Sequence, residues 1–118
     1  RRVGILGSTG SIGVQALDVV RANPAFLSVH SLVCSRNLEL LTAQSAEFPS
    51  AVCGVLDPPV PPPRGFLSGR GLLEEAVAGC DIILNAVTGF AGLAASLLAA
   101  HSIPPGVTKV TLLPPPGK

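Results

Sequence analysis

Residues 2–13 read RVGILGSTGSIG, from Arg2 to Gly13: an apolar run that breaks into three glycines spaced three apart and then opens a helical pattern. Val3, Ile5 and Leu6 fit a strand of a parallel sheet, whose two covered faces turn the usual alternation into a hydrophobic run. The strand is expected to end at Gly7. Gly7, Gly10 and Gly13 then offer a tight turn, a backbone bare enough for a diphosphate to approach, and a close helix-to-strand contact. Those are the three uses of glycine in a dinucleotide-binding loop. Peptide N–H groups at the start of the next helix would face the anion. In a chain with 13 glycines the spacing alone is a weak signal; the strand before it and the amphipathic helix after it raise it. The bland alternative is a glycine-rich strand-to-helix turn that binds nothing.

Downstream of this loop, Ser11 to Asn23 is expected to form a helix, with Ile12, Ala16, Leu17 and Val20 on one face and Gln15, Asp18 and Arg21 turned away. Asn23-Pro24 stops it. Leu27 to Val33 reads as a second strand with Val29 and Val33 buried, ending at Cys34-Ser35-Arg36-Asn37. In a mononucleotide-binding unit this tip meets the adenosine ribose, where an acid selects NAD and a base accommodates the extra phosphate of NADP. The tip carries Arg36, and no Asp or Glu occurs before Glu39. A guanidinium takes a phosphate through two charge-assisted hydrogen bonds, with Ser35 and Asn37 as neutral donors. NADP is therefore preferred over NAD. The competing reading makes Asn37 a plain N-cap and Arg36 a solvated loop residue.

Leu38 to Phe48 is expected as a second helix, lined by Leu38, Leu41, Ser45 and Phe48, and Ala51 to Val55 as a third strand. Asp57 to Gly65, DPPVPPPRG, cannot be helix or central strand, because proline lacks the N–H and fixes φ; it should be a stiff, extended surface connection. Gly71 to Ala78 reads as a short helix with Gly79 past its end, and Asp81 to Val87 as a fourth strand. That strand runs into Thr88-Gly89-Phe90-Ala91-Gly92 and a helix through Ala100. Asn85 to Gly89 would then border the ligand edge of the sheet, or be merely a turn.

The 118 residues carry a net charge of +1, four Phe, and no Tyr or Trp. One domain of ordinary size is expected, and a nucleic-acid surface of basic patches and stacking rings is excluded. The apolar stretches fall short of the ~20 residues that a membrane span needs. Arg1-Arg2 before a short, glycine-rich run makes no signal peptide, and the lack of an initiator Met predicts a partial chain. Cys34, Cys53 and Cys80 form no C-x-x-C pair and read as reduced, mostly buried thiols. His30 and His101 read as structural residues.

ILGSTGSIGVQALDVVRANP, SRNLELL and GLLEEAVAGCDIILNAVTGFAGL together resemble the N-terminal NADPH-binding domain of the 1-deoxy-D-xylulose 5-phosphate reductoisomerase family. The resemblance implies an α/β, Rossmann-like doubly wound fold with a mostly parallel sheet of four or five strands. It covers Arg2 to about Ala100, giving an NADPH-binding domain over residues 1–102 and a proline-rich, divergent segment over 103–118 with a fifth strand at Lys109 to Leu113. It also implies NADPH as cofactor, with Thr9, Gly10, Ser11 and Ile12 as the diphosphate loop and Ser35, Arg36 and Asn37 as the 2′-phosphate pocket. Ser35 departs from the Gly often found there. Asn85, Ala86, Val87 and Gly89 resemble the strand that flanks the cofactor further along.

The implied activity is reductive isomerisation of a sugar phosphate to 2-C-methyl-D-erythritol 4-phosphate in non-mevalonate isoprenoid synthesis, in a bacterial cytoplasm or a plastid stroma. The family also needs a divalent metal, Mg or Mn, whose ligands cannot be matched in this sequence, so no catalytic or metal residue is assigned and the 118 residues alone are expected to be inactive. Two other readings stay open: a different NADP-dependent oxidoreductase of the same fold, and a non-catalytic remnant or interaction module. Loss of a second domain would leave an apolar patch exposed, which predicts self-association, for instance as a homodimer.

Overall fold

The apolar runs predicted as strands pair side by side. The computed structural model describes residues 1–69 and 71–86, and the backbone of 108–111. Its elements are β1 (Arg2–Leu6), α1 (Ser11–Ala22), β2 (Ser28–Cys34), α2 (Leu38–Glu47), β3 (Val52–Val55), α3 (Leu72–Val77), β4 (Ile82–Asn85) and β5 (Thr108–Thr111). All pairings are parallel and the strand order is β3-β2-β1-β4-β5. Strands are added outward on one side of β1 and then on the other, so β1 and β4 flank the topological switch point of a Rossmann-like α/β sheet.

Burial explains the runs. Ile5, Leu6, Leu32, Val33, Val55 and Ile83 are fully buried, each of the large ones contributing roughly 1.5–3 kcal/mol of hydrophobic stabilisation. Side chains alternate between two cores. Leu6, Val33 and Ile83 pack against Leu72, Leu73, Ala76 and Val77 of α3. Val3, Ile5, Leu32, Cys34 and Val55 pack on the other face with Leu17 of α1 and Leu41 of α2. The two helices on that face are tied together by Arg21, which donates to both carboxylate oxygens of Glu47 and lies 5.7 Å above the Phe48 ring.

Several expectations shift by a residue or two. Helix α1 ends at Ala22, where Asn23 N–H bonds the Val20 carbonyl. Val29 is only half-buried, because the buried run of β2 begins at Ser31. On α2 the buried pair is Leu41 and Gln44, with Leu38, Ser45 and Phe48 half-covered. Asp57 to Gly65 carries neither helix nor strand. The chain then returns along β3, where Leu67 N–H bonds the Cys53 carbonyl and Val55 N–H the Leu67 carbonyl. Strand β5 begins one residue before its expected start. Val87, Gly89 and the helix expected through Ala100 lie outside the described residues, as do His101 and the proline-rich tail apart from β5. Among the described residues no helix is long and apolar enough to cross a membrane.

Candidate dinucleotide site

Strand register decides which loops meet. Leu6 pairs with Val33 on one side and with Asn85 on the other, and Cys34 pairs with Val55. The segments after β1, β2, β3 and β4 therefore leave the same edge of the sheet, where ligands bind in open α/β folds. The glycine loop, Ser35 to Asn37, Asp57 and Ala86 lie along that edge.

The loop after β1 is pinned from below. The Val33 carbonyl accepts from Gly7 N–H at 2.6 Å and from Ser8 N–H at 3.0 Å, while Gly10 N–H closes the turn on the Gly7 carbonyl at 3.2 Å. Gly7 has φ 97°, a left-handed conformation that glycine adopts without penalty. A Cβ built on Gly13 would fall 2.0 Å from the Gly7 carbonyl oxygen; glycine at that position lets the first turn of α1 rest on the end of β1. Among the described residues, a Cβ on Gly10 would meet only the same oxygen, at 3.7 Å.

Helix α1 starts without a cap. Its N-cap is Gly10, no side chain among the described residues bonds the first-turn amides, and the first turn holds no acid. The amides of Ser11, Ile12 and Gly13 lack intrahelical partners by helix geometry, and the positive end of the helix dipole adds to them. This is an anion-binding end. Gly10 and Ser11 are exposed, and Thr9 and Ile12 half-exposed.

Beyond β2, Arg36 is exposed and its Nη1 lies 3.8 Å from Asp57 Oδ2. At 63% and 68% side-chain exposure, such a pair contributes little to stability and yields readily to a more highly charged partner. Asp57 is held there by its own N–H bonding the Ser35 carbonyl at 2.8 Å. Sequence reasoning did not anticipate this acid, which approaches Arg36 only through β2–β3 pairing. Asn37 Oδ1 accepts from Leu40 N–H at 3.1 Å, so Asn37 does cap α2, and its NH2 remains a donor beside Arg36.

A buried polar side chain also lies under the loop. Gln44 reaches from α2 and its Nε2 donates to the Ser8 carbonyl at 2.8 Å. The signal was present in the sequence: a glutamine three residues after Leu41, in the middle of the apolar stripe. Asn85 is wholly buried at the end of β4, and Ala86 N–H bonds the Leu6 carbonyl at 2.7 Å. Cys34, one residue before Ser35, is buried, and burial pushes its thiol up to about 11. It is protonated and unreactive at neutral pH. His30 Nε2 bonds the Ala78 carbonyl at 2.6 Å, far from this edge in the chain's layout, and serves to join β2 to the end of α3.

The family model for 1-deoxy-D-xylulose 5-phosphate reductoisomerase matches residues 3–60, from β1 past the Arg36 tip. The chain resembles members of this family along 84–86% of its own length. The reductoisomerase of Mycolicibacterium smegmatis is 42% identical over 106 residues, covering 84% of this chain and 26% of that protein. That of Trichlorobacter lovleyi is 37% identical over 113 residues, covering 86% and 29%. Among solved structures, the Zymomonas mobilis reductoisomerase in complex with NADPH superposes with a TM-score of 0.71 at 29% identity, over 96% of this chain and 32% of that one. A reductoisomerase with fosmidomycin and magnesium gives 0.75 at 28% identity, over 96% and 30%. The chain thus spans less than a third of the length of these family members. No group of three His, Cys, Asp or Glu side chains able to hold a metal ion occurs among the described residues, so these residues do not fit the magnesium of that relative.

Proposed function

We propose that this chain is the NADPH-binding portion of a 1-deoxy-D-xylulose 5-phosphate reductoisomerase. The uncapped start of α1, packed on β1 through Gly13, carries the reading. The amides from Thr9 to Ile12 would hold the diphosphate, and Arg36 with the Ser35 hydroxyl and the Asn37 NH2 would hold the 2′-phosphate. Bound NADPH supplies a hydride; the chain's own residues bind and orient the cofactor. The two anion sites lie at neighbouring strand ends, as the two ends of an adenosine moiety require.

In a complete enzyme the same proposal extends to reduction coupled to isomerisation of the sugar phosphate. Substrate and metal chemistry are assigned to no described residue, and the 118 residues by themselves are expected to bind cofactor without turnover. Self-association as a homodimer belongs to the same proposal. It is supported by exposed Val19 and Phe26 and by an open, mostly apolar hollow of about 350 Å³ beside α1. Residence in a bacterial cytoplasm or a plastid stroma follows from the proposed pathway. A fluorescence titration with NADPH tests the core of the reading: saturable binding supports it, and none by a chain with native circular dichroism overturns it.

A further inference from the structure

We infer that Gln44 is a positioning residue for the diphosphate loop, an inference that rests on the proposed NADPH site. Its side chain is 95% buried by complement, since Gln44 retains 5% exposure. Its Nε2 donates to the Ser8 carbonyl at 2.8 Å, across 36 residues of sequence. Ser8 is itself fully buried, and its N–H is held by the Val33 carbonyl at 3.0 Å. The peptide units on either side of Ser8 are therefore both gripped, Gly7–Ser8 from β2 and Ser8–Thr9 from α2. Because the peptide is planar, fixing the Ser8 carbonyl fixes the direction of the Thr9 N–H and constrains that of Gly10 after it.

The same helix carries the other anchor. Asn37 caps the first turn of α2 and adjoins Arg36, while Gln44 lies two turns further along. One rigid element thus sets the 2′-phosphate tip at its start and the diphosphate loop through its buried face. A purely stabilising role fits poorly. Gln44 Oε1 and Ser8 Oγ are both buried with no hydrogen-bond partner among the described residues, an arrangement that costs stability. An apolar side chain of similar length would remove the orphaned oxygen.

The test is Gln44→Met, which keeps the length and removes the donor, with Gln44→Asn, which keeps the amide but withdraws it by one methylene. Each is titrated with NADPH, NADH and adenosine 2′-monophosphate, which has the 2′-phosphate and no diphosphate. The expected result is a loss of about 3- to 10-fold for both dinucleotides, because loop amides no longer held in one direction must be ordered on binding. Adenosine 2′-monophosphate binding should be unchanged, even where the cofactor-free melting temperature falls because the buried Ser8 carbonyl loses its donor. Unchanged NADPH affinity, or an equal loss for adenosine 2′-monophosphate, overturns the inference. Wild-type chain that binds no dinucleotide overturns the cofactor reading and this inference together, whereas wild-type binding with unaffected variants overturns this inference alone.

Discussion

Gly13 stands so close to Gly7 that a Cβ at position 13 would lie 2.0 Å from the Gly7 carbonyl oxygen. The first turn of α1 reaches the end of β1 only because that atom is missing. Gly10, three residues earlier, has no such neighbour within 3.4 Å. The two glycines therefore have separable roles, one in packing and one in leaving the surface bare.

Gly13→Ala is expected to lower stability by about 1–3 kcal/mol, the usual cost of overpacking against backbone that must shift. Gly10 has φ −78°, which alanine tolerates, so Gly10→Ala should be neutral or stabilising by up to about 1 kcal/mol. Its methyl group would nonetheless stand where the diphosphate approaches, and NADPH affinity should fall on the order of tenfold. Urea denaturation and cofactor titration of both variants check the pair of outcomes.

Asn37 serves two ends of the same side chain. Asn37→Ala removes the cap on Leu40 N–H and should cost about 1 kcal/mol. Asn37→Asp keeps the cap, adds a favourable charge at the helix start, and places that charge beside the proposed 2′-phosphate site. It should hold or raise the melting temperature while weakening NADPH binding and leaving NADH binding alone.

The cysteines provide a probe of cooperativity. Cys34, Cys53 and Cys80 are buried, and burial raises all three thiols above their ordinary value, Cys34 to about 11. None should react with a thiol reagent in the native chain at neutral pH. All three should react in denaturant, and added NADPH should slow their modification by stabilising the folded form.

Acid stability should depend on Asp81. The backbone N–H of Arg2 bonds its Oδ2 at 2.8 Å at the start of β1, and that bond, assisted by nearby arginine charge, holds the carboxyl below the usual Asp range. A depressed folded value means that the contribution is present above the unfolded value, about 3.9, and is lost as pH falls through the folded one. Asp81→Asn keeps an acceptor without the charge. Its melting temperature should vary less than wild type below about pH 5.

Much of the architecture was readable because β1, α1, β2 and β4 each carry one strong local pattern. Ile5-Leu6 and Ile82-Ile83 announce buried strands, and Asn23-Pro24 announces a stop. The glycine spacing marked the loop, since Gly7 and Gly13 answer to local backbone demands. Gln44 and Asp57 were not read, for a physical reason: each acquires its partner only when α2 and β3 dock onto β2. Val29 stays half-buried, against the strand pattern, because β2 enters the core two residues later, at Ser31. Arg36 was marked by the lack of any acid beside it in sequence, yet the fold supplies one at 3.8 Å.

The most direct test is a titration of wild-type chain and Arg36→Ala with NADPH and NADH at low and high salt. The account expects wild type to prefer NADPH, the preference to shrink with salt as a charge-assisted contact does, and Arg36→Ala to bind both cofactors equally with NADH affinity unchanged. Equal affinity of wild type for the two, or an undiminished NADPH preference in Arg36→Ala, would contradict it.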